Sequence, residues 1–274
     1  MSLTVSHMVR PPAVVSIAGS DPSGGAGIQA DLKTFGALGA YGMSVLTALT
    51  AQNTIGVQKV LPIDSEFVAA QLDSVTSDVR VDGVKIGVLG SAGVAEVIRP
   101  TLLHMRDRGV PIVLDPVLVA TSGDRFGDAS VTSALRDLLS VVSVVTPNLS
   151  EAAALTATPV ATDERGMRDQ ARSLLDLGAP AVLIKGGHLD GDAVDLWVDA
   201  HGFERFAAPR IPTSNTHGTG CSLSSALVAL RPQRPDWHTT VTDAKGWLTD
   251  ALRAADSLEI GAGHGPVHHF HRWW

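Results

Sequence analysis

The chain predicts an α/β fold in which a mostly parallel sheet is covered by helices on both faces. Three observations lead there. Apolar, β-branched runs alternate with helix-spaced segments over almost the whole length. The runs are short and nearly continuous in apolar residues, as strands buried on both faces are. No repeat, low-complexity tract or Gly/Ser linker divides the chain, which predicts one domain over residues 13–274 behind a flexible tail at 1–12.

Taken in order, Val14-Val15-Ser16-Ile17-Ala18 predicts a strand and residues 25–38 the helix after it. Residues 43–50 and 57–63 read as extended, 65–77 as a helix, and Gly83-Val84-Lys85-Ile86-Gly87-Val88 as a short buried strand. The helix over 92–108 stops at Gly109, with Pro111 beyond it. Ile112-Val113-Leu114, residues 141–146 and residues 181–185 are further strands, and the helix 164–177 is closed by Gly178. Residues 194–198 and 203–207 flank Asp199-Ala200-His201-Gly202, a hairpin expected at one sheet edge.

Composition narrows the function. With 274 residues, 45% hydrophobic and 18% charged, the chain can bury a large core. A net charge of −7 argues against nucleic-acid or anionic-membrane partners and favours a small-molecule one. One cysteine excludes an internal disulfide framework and suits a reducing cytoplasm. No apolar run is long enough to span a bilayer, and the first residues lack the pattern of a signal peptide.

In open parallel sheets, ligands gather beyond the carboxyl ends of the strands. Thr216-His217-Gly218-Thr219-Gly220-Cys221 is the most telling segment placed there. Its glycines permit a sharp turn, and the helix that follows brings its positive end to the same spot. Cys221 on the first helical turn is expected to lose its proton more readily than a free thiol. Gly19 to Asp31 is a glycine-rich turn running into a helix, with Asp31 expected to face the pocket. Its spacing is not that of a dinucleotide fingerprint, and Thr50-Ala51-Gln52-Asn53 lacks the acid an oxidoreductase would need. Asp115 can serve a hydrated Mg²⁺ or simply form a turn. Asn148 and Glu151 suit an N-cap and its capping-box partner, a reading that does not prevent them from facing an anion. Lys185, before Gly186-Gly187-His188, can reach a phosphate or stand exposed, and no segment matches the P-loop pattern. The terminal His264, His268, His269 and His271 lack a carboxylate or cysteine to complete a metal site and read as packing or surface residues.

Together these segments resemble the ribokinase-like superfamily and, within it, the bacterial hydroxymethylpyrimidine/phosphomethylpyrimidine kinases of thiamine biosynthesis. The resemblance runs from about Val14 to Trp274. It is carried by Ala18 to Thr34, Ala51-Gln52-Asn53-Thr54, Thr146-Pro147-Asn148, Lys185-Gly186-Gly187-His188, His217 to Cys221 and Gly265-Pro266-Val267-His268-His269-Phe270. It implies a three-layer α/β/α sandwich and an ATP- and Mg²⁺-dependent kinase. By the same resemblance, Gly19, Ala26, Asp31, Gln52, Val88, Val117 and Cys221 surround an aminopyrimidine, with Thr50 and Val88 the most variable contacts. Asn148, Lys185, Thr216 and Gly218 would serve ATP, and Asp115 and Glu151 the metal. Gly218, Thr219, Gly220 and Cys221 would form the catalytic anion hole, Cys221 standing where most of the superfamily has Asp and acting as base. The resemblance further implies a homodimer, and the related pyridoxal kinases are the alternative activity. Residues 120–127 are the expected closing loop.

Overall fold

The computed structural model describes residues 10–119, 123, 126–187, 189 and 191–274. The expected closing loop falls largely on residues 120–122 and 124–125, outside the described residues, as does His188. Of the expected N-terminal tail, residues 10–12 are described and docked: Arg10 pairs with Asp82 at 2.5 Å, and Pro12 accepts a bond from the Tyr41 amide.

Eight strands form one sheet: β1 (Ala13–Ala18), β2 (Tyr41–Leu46), β5 (Gly83–Ile86), β6 (Ile112–Leu114), β7 (Val144–Val145), β8 (Ala181–Lys185), β9 (Ala193–Asp199) and β10 (Gly202–Ala208). Their spatial order is β10-β9-β8-β7-β6-β5-β1-β2, parallel from β2 to β8 and antiparallel at β9 and β10. The hairpin β9–β10 therefore lies at the sheet edge, as its sequence predicts. The chain order reverses at β1, where β2 lies on one side and β5 on the other. A crevice at such a reversal, at the strands' carboxyl ends, is where this architecture holds ligands.

Side chains alternate across the sheet, as the two-residue strand period requires. Val15, Ile17, Val84, Ile86, Ile112 and Leu114 face one apolar cluster. That cluster is completed by α2 (Ser65–Asp78), α3 (Ala92–Asp107), α4 (Ala129–Leu138), α5 (Leu149–Thr156) and α6 (Glu164–Asp176). Val14, Val113, Val144 and Leu183 face the other, completed by α1 (Gly27–Ala37), α7 (Thr219–Leu230) and α8 (Trp237–Arg253). The result is the three-layer sandwich the sequence implies. Among the described residues no helix is long and apolar enough to cross a membrane.

Two expectations change. The run 141–146 contributes only Val144 and Val145 to the ladder, because Val141 turns back to bond the Leu138 carbonyl at the end of α4. The extended run 43–50 breaks at Thr47, whose hydroxyl donates to the Val88 carbonyl at 2.5 Å. Beyond it the chain leaves the main sheet and forms β3 (Ala48–Gln52), paired antiparallel with β4 (Val57–Pro62) as a separate two-stranded sheet. The Ser20 amide bonds the Ala48 carbonyl, and the Thr50 hydroxyl bonds the Ser20 carbonyl, so this hairpin is fastened over the end of β1.

Candidate active site

The amino termini of α1 and α7 meet at the carboxyl end of β1. Gly218 caps α7 with φ +77°, and a Cβ there would lie 1.8 Å from the Gly25 carbonyl oxygen. No side chain fits that approach, and the left-handed backbone also favours glycine. No side chain caps α7, and the amides of Gly220 and Cys221 have no acceptor among the described residues. Thr219 spends its hydroxyl on the Thr216 carbonyl, tightening the turn at 2.6 Å. Two free amides at a positive helix end form an anion hole.

Cys221 sits in this hole, with the Gly27 amide of α1 donating to its sulfur. The expected lowering of its pKa does not hold. Burial pushes the thiol up to about 11, and Asp115 and Asp31 add to the rise against the opposing pull of Lys85. Loss of hydration and two nearby carboxylates outweigh Lys85 and the Gly27 amide. At neutral pH Cys221 is a protonated thiol.

A charged cluster lies beside the hole. Lys185, at the end of β8, donates to Asp115 Oδ1 at 2.8 Å and stands 3.9 Å from Glu151 Oε2. Thr146 and Ser224 also donate to Asp115, each at 3.3 Å. A Cβ on Gly220 would lie 3.1 Å from Lys185 Nζ and 3.8 Å from Asp115 Oδ2, which puts the cluster against the anion hole. Asn148 and Glu151 form the capping box their sequence predicts: Glu151 Oε2 accepts from the Asn148 amide at 2.8 Å and Asn148 Oδ1 from the Glu151 amide at 2.9 Å. Burial raises the Glu151 pKa to about 7; Lys185 opposes the rise and Asp115 adds to it.

On the opposite side, Gly19 packs against Val88, 3.6 Å from a built Cβ, and Gln52 Nε2 comes within 3.4 Å of His217 Nε2. Ala26 is the N-cap of α1, and its amide donates to Asp21. Val117 follows Asp115 on the turn after β6, its amide bonded to the Asp115 carbonyl. Asp31 is placed differently from its expected pocket-facing position. It is fully buried beneath the site, with its carboxylate occupied by Ser16, Lys85 and Ser225.

Sequence reasoning gave no role to Asp21 and His217. His217 Nε2 meets Asp21 Oδ2 at 2.8 Å, and Asp21 also accepts from the Ser23 hydroxyl and the amides of Gly25 and Ala26. Burial opposes ionisation of Asp21, but the bonds from His217, Ser23 and Ala26 win and hold it below the usual carboxylate range. Asp21 thus joins the α1 turn to the α7 turn and fixes the ring beside Gln52. The available signal was a lone Asp in one glycine-rich turn and a lone His in the other.

A carboxyl with a folded pKa near 7, above its ordinary 4.5, favours the folded state when protonated. Its contribution is therefore lost as pH rises from about 4.5 to 7. Glu151→Gln keeps an acceptor for the Asn148 amide and removes the buried charge. Without nucleotide or metal, the variant should gain on the order of 2 kcal/mol over the parent between pH 5 and pH 8. Denaturant melts at both pH values measure this; an unchanged difference contradicts it.

Residues 21–268 match the family model described as phosphomethylpyrimidine kinase. The chain is 57% identical over 262 residues to the hydroxymethylpyrimidine/phosphomethylpyrimidine kinase of Escherichia coli (strain K12), covering 95% of this chain and 98% of that one. It is 52% identical over 262 residues to the protein of the same name from Rhizobium meliloti (strain 1021), covering 95% and 97%. Among solved structures, the pyridoxal kinase from Staphylococcus aureus in complex with AMP-PCP and pyridoxal is 31% identical with a TM-score of 0.85, covering 97% and 96%. The phosphomethylpyrimidine kinase from Clostridium difficile 630 is 35% identical with a TM-score of 0.75, covering 88% and 99%. The chain belongs to the phosphomethylpyrimidine kinase family.

Proposed function

We propose that this chain phosphorylates the hydroxymethyl group of 4-amino-5-hydroxymethyl-2-methylpyrimidine with ATP, and then the resulting monophosphate to the diphosphate, in thiamine biosynthesis. One observation carries the reading. The free amides of Gly220 and Cys221 stand between a charged side at Lys185, Asp115 and Glu151 and a hydrogen-bonding side at Gln52 and His217. The Gln52 amide offers a donor and an acceptor, matching a ring nitrogen and an exocyclic amine.

ATP supplies the phosphoryl group, and Mg²⁺ screens its charge. The residues fit both. The Lys185 ammonium and the two free amides suit phosphate oxygens, with Asn148, Thr216 and Gly218 placed on the adjoining turns. Among the described residues no group of three His, Cys, Asp or Glu could hold a metal. Asp115 and Glu151 would therefore share Mg²⁺ with phosphate and water, the usual arrangement for this ion. Phosphoryl transfer passes through a loose transition state that rewards positioning and charge neutralisation. The α7 amides supply both. The protonated Cys221 thiol would pack against the substrate and is no resting base, so the hydroxyl proton would leave late, passing to an oxygen of the transferred phosphoryl group as the new O–P bond forms and ADP departs.

Exposed apolar side chains at Tyr41, Leu49, Leu61 and Phe67 line β2, the β3–β4 hairpin and α2. They suit burial against a second copy, which supports a homodimer, and the free Cys221 thiol supports a reducing compartment such as the cytoplasm. The high TM-score to a pyridoxal kinase supports pyridoxal as the second candidate substrate. Fold likeness does not separate the two activities, because both kinds of enzyme share it; the higher identity to the pyrimidine kinases favours the first.

A steady-state comparison of the two substrates tests the assignment. The aminopyrimidine should be favoured over pyridoxal by roughly a hundredfold or more in kcat/KM, because pyridoxal lacks the exocyclic amine that would pair with the half-buried Gln52, a mismatch that costs up to about 10⁵ where the site is fully buried. Equal or reversed preference refutes it. Cys221→Ala should lower kcat only about tenfold, whereas removing a true general base costs roughly 10²–10⁴. A loss of a hundredfold or more would restore the base role.

A further inference from the structure

Two strands of the sheet break their apolar pattern at the same level. Ser16 of β1 and Lys85 of β5 are register partners. Their neighbours Val15, Ile17, Val84 and Ile86 face the α2–α6 side, so both polar side chains point toward α1 and α7. There the carboxylate of Asp31 takes Lys85 Nζ at 2.9 Å and Ser16 Oγ at 2.5 Å on one oxygen. Its other oxygen takes Ser225 Oγ at 2.7 Å. All four residues are completely shielded from solvent. Ser225 lies four residues beyond Cys221, one turn down the same face of α7.

The ammonium lies under the substrate side of the site. A Cβ on Gly87 would come within 2.7 Å of Lys85 Nζ and 3.0 Å of Ala18 Cβ, so Lys85 supports the turns that carry Val88 and Gly19. Asp31 uses one of its three donors. The charged and titratable groups facing it are Asp31 of α1, Cys221 of α7 and Asp115 after β6, with Lys185 of β8 and Glu151 of α5 beyond. A wholly buried ion pair is poorly explained as a device for stability, since apolar residues of similar volume often do as well or better. Its cost needs another justification.

We propose that Lys85 and Asp31 are a positioning pair for phosphoryl transfer, tying α7 to β1, β5 and α1 one turn below the anion hole and holding a fixed positive charge beneath the Cys221 thiol. The inference rests on the kinase reading for its catalytic consequence alone. The lysine end outweighs the aspartate end at the sulfur, lowering the thiol pKa where Asp31 raises it. Neither residue touches substrate; both act on transfer through the placement of α7, and the reactivity of the Cys221 thiol reports the pair's charge.

The test removes both charges together, because either single change would strand a buried ion. In Lys85→Met/Asp31→Asn, the alkylation rate of Cys221 by iodoacetamide at pH 8.5 should fall about tenfold. The chain has one cysteine, so the measurement reports this thiol alone. kcat should fall at least tenfold, with KM for ATP changed less than threefold. A folded double variant with alkylation within twofold of the parent and kcat within threefold overturns the proposal. Ser225→Ala keeps the charges and cuts one tie: kcat should fall about fivefold with alkylation unchanged, and unchanged kcat counts against the pair even if the double variant does not fold. Alkylation does not depend on the substrate, so a parent inactive on the aminopyrimidine would sink the assigned reaction while the thiol measurement still judged the pair.

Discussion

The site depends on the approach of two backbone turns that only glycine permits. Gly218 leaves no room for a side chain against the Gly25 carbonyl, and the His217 ring packs on Gly25 from the neighbouring position. This contact sets the amino termini of α1 and α7 side by side. Asp21 then completes the join, bonding His217 from one turn and the amides of Gly25 and Ala26 from the other. The C-terminal segment reinforces it, with the Gly265 carbonyl accepting from the His217 amide and His269 sharing a bond with Ser222. Without that approach, the free amides of α7 would have no partner surface on α1 to enclose an anion.

Charge is arranged in layers around this junction. Lys185 sits between Asp115 and Glu151 on one side, and Lys85 meets Asp31 below. Burial opposes both ammonium charges, and the adjacent carboxylates reverse that and raise both lysines above their ordinary range. Cys221 receives the opposite balance. Burial and the carboxylates dominate, and it stays neutral. A neutral thiol in a hole of oriented amides suits a reaction that gathers negative charge on a phosphoryl group and needs little help in removing a proton.

Much of this was legible in the sequence, for identifiable reasons. Strands buried on both faces announce themselves as apolar runs, and residues at or just beyond their carboxyl ends, Asp115, Asn148 and Lys185, fell at the ligand-binding edge by position. The Asn148–Glu151 capping box was readable because it depends on a spacing of three. The misplacement of Asp31 has an equally local cause: its helix position was clear, but its partners lie on two strands and a helix far along the chain. The polar interruptions at Ser16 and Lys85 were visible in the runs, yet only strand register puts them opposite one another. The Asp21–His217 bond spans 196 positions, beyond any pattern of spacing. The departure of β3 from the main sheet at Thr47 depends on the Val88 carbonyl and was equally hidden.

A crystal structure of the protein with 4-amino-5-hydroxymethyl-2-methylpyrimidine and a non-hydrolysable ATP analogue tests the arrangement of the site most directly. The pyrimidine ring should lie between Gln52 and Cys221, with its hydroxymethyl oxygen directed at the terminal phosphoryl group and that group held by the Gly220 and Cys221 amides, with Lys185 alongside. A pyrimidine bound away from Gln52, or a terminal phosphoryl group held elsewhere than at the start of α7, would contradict it.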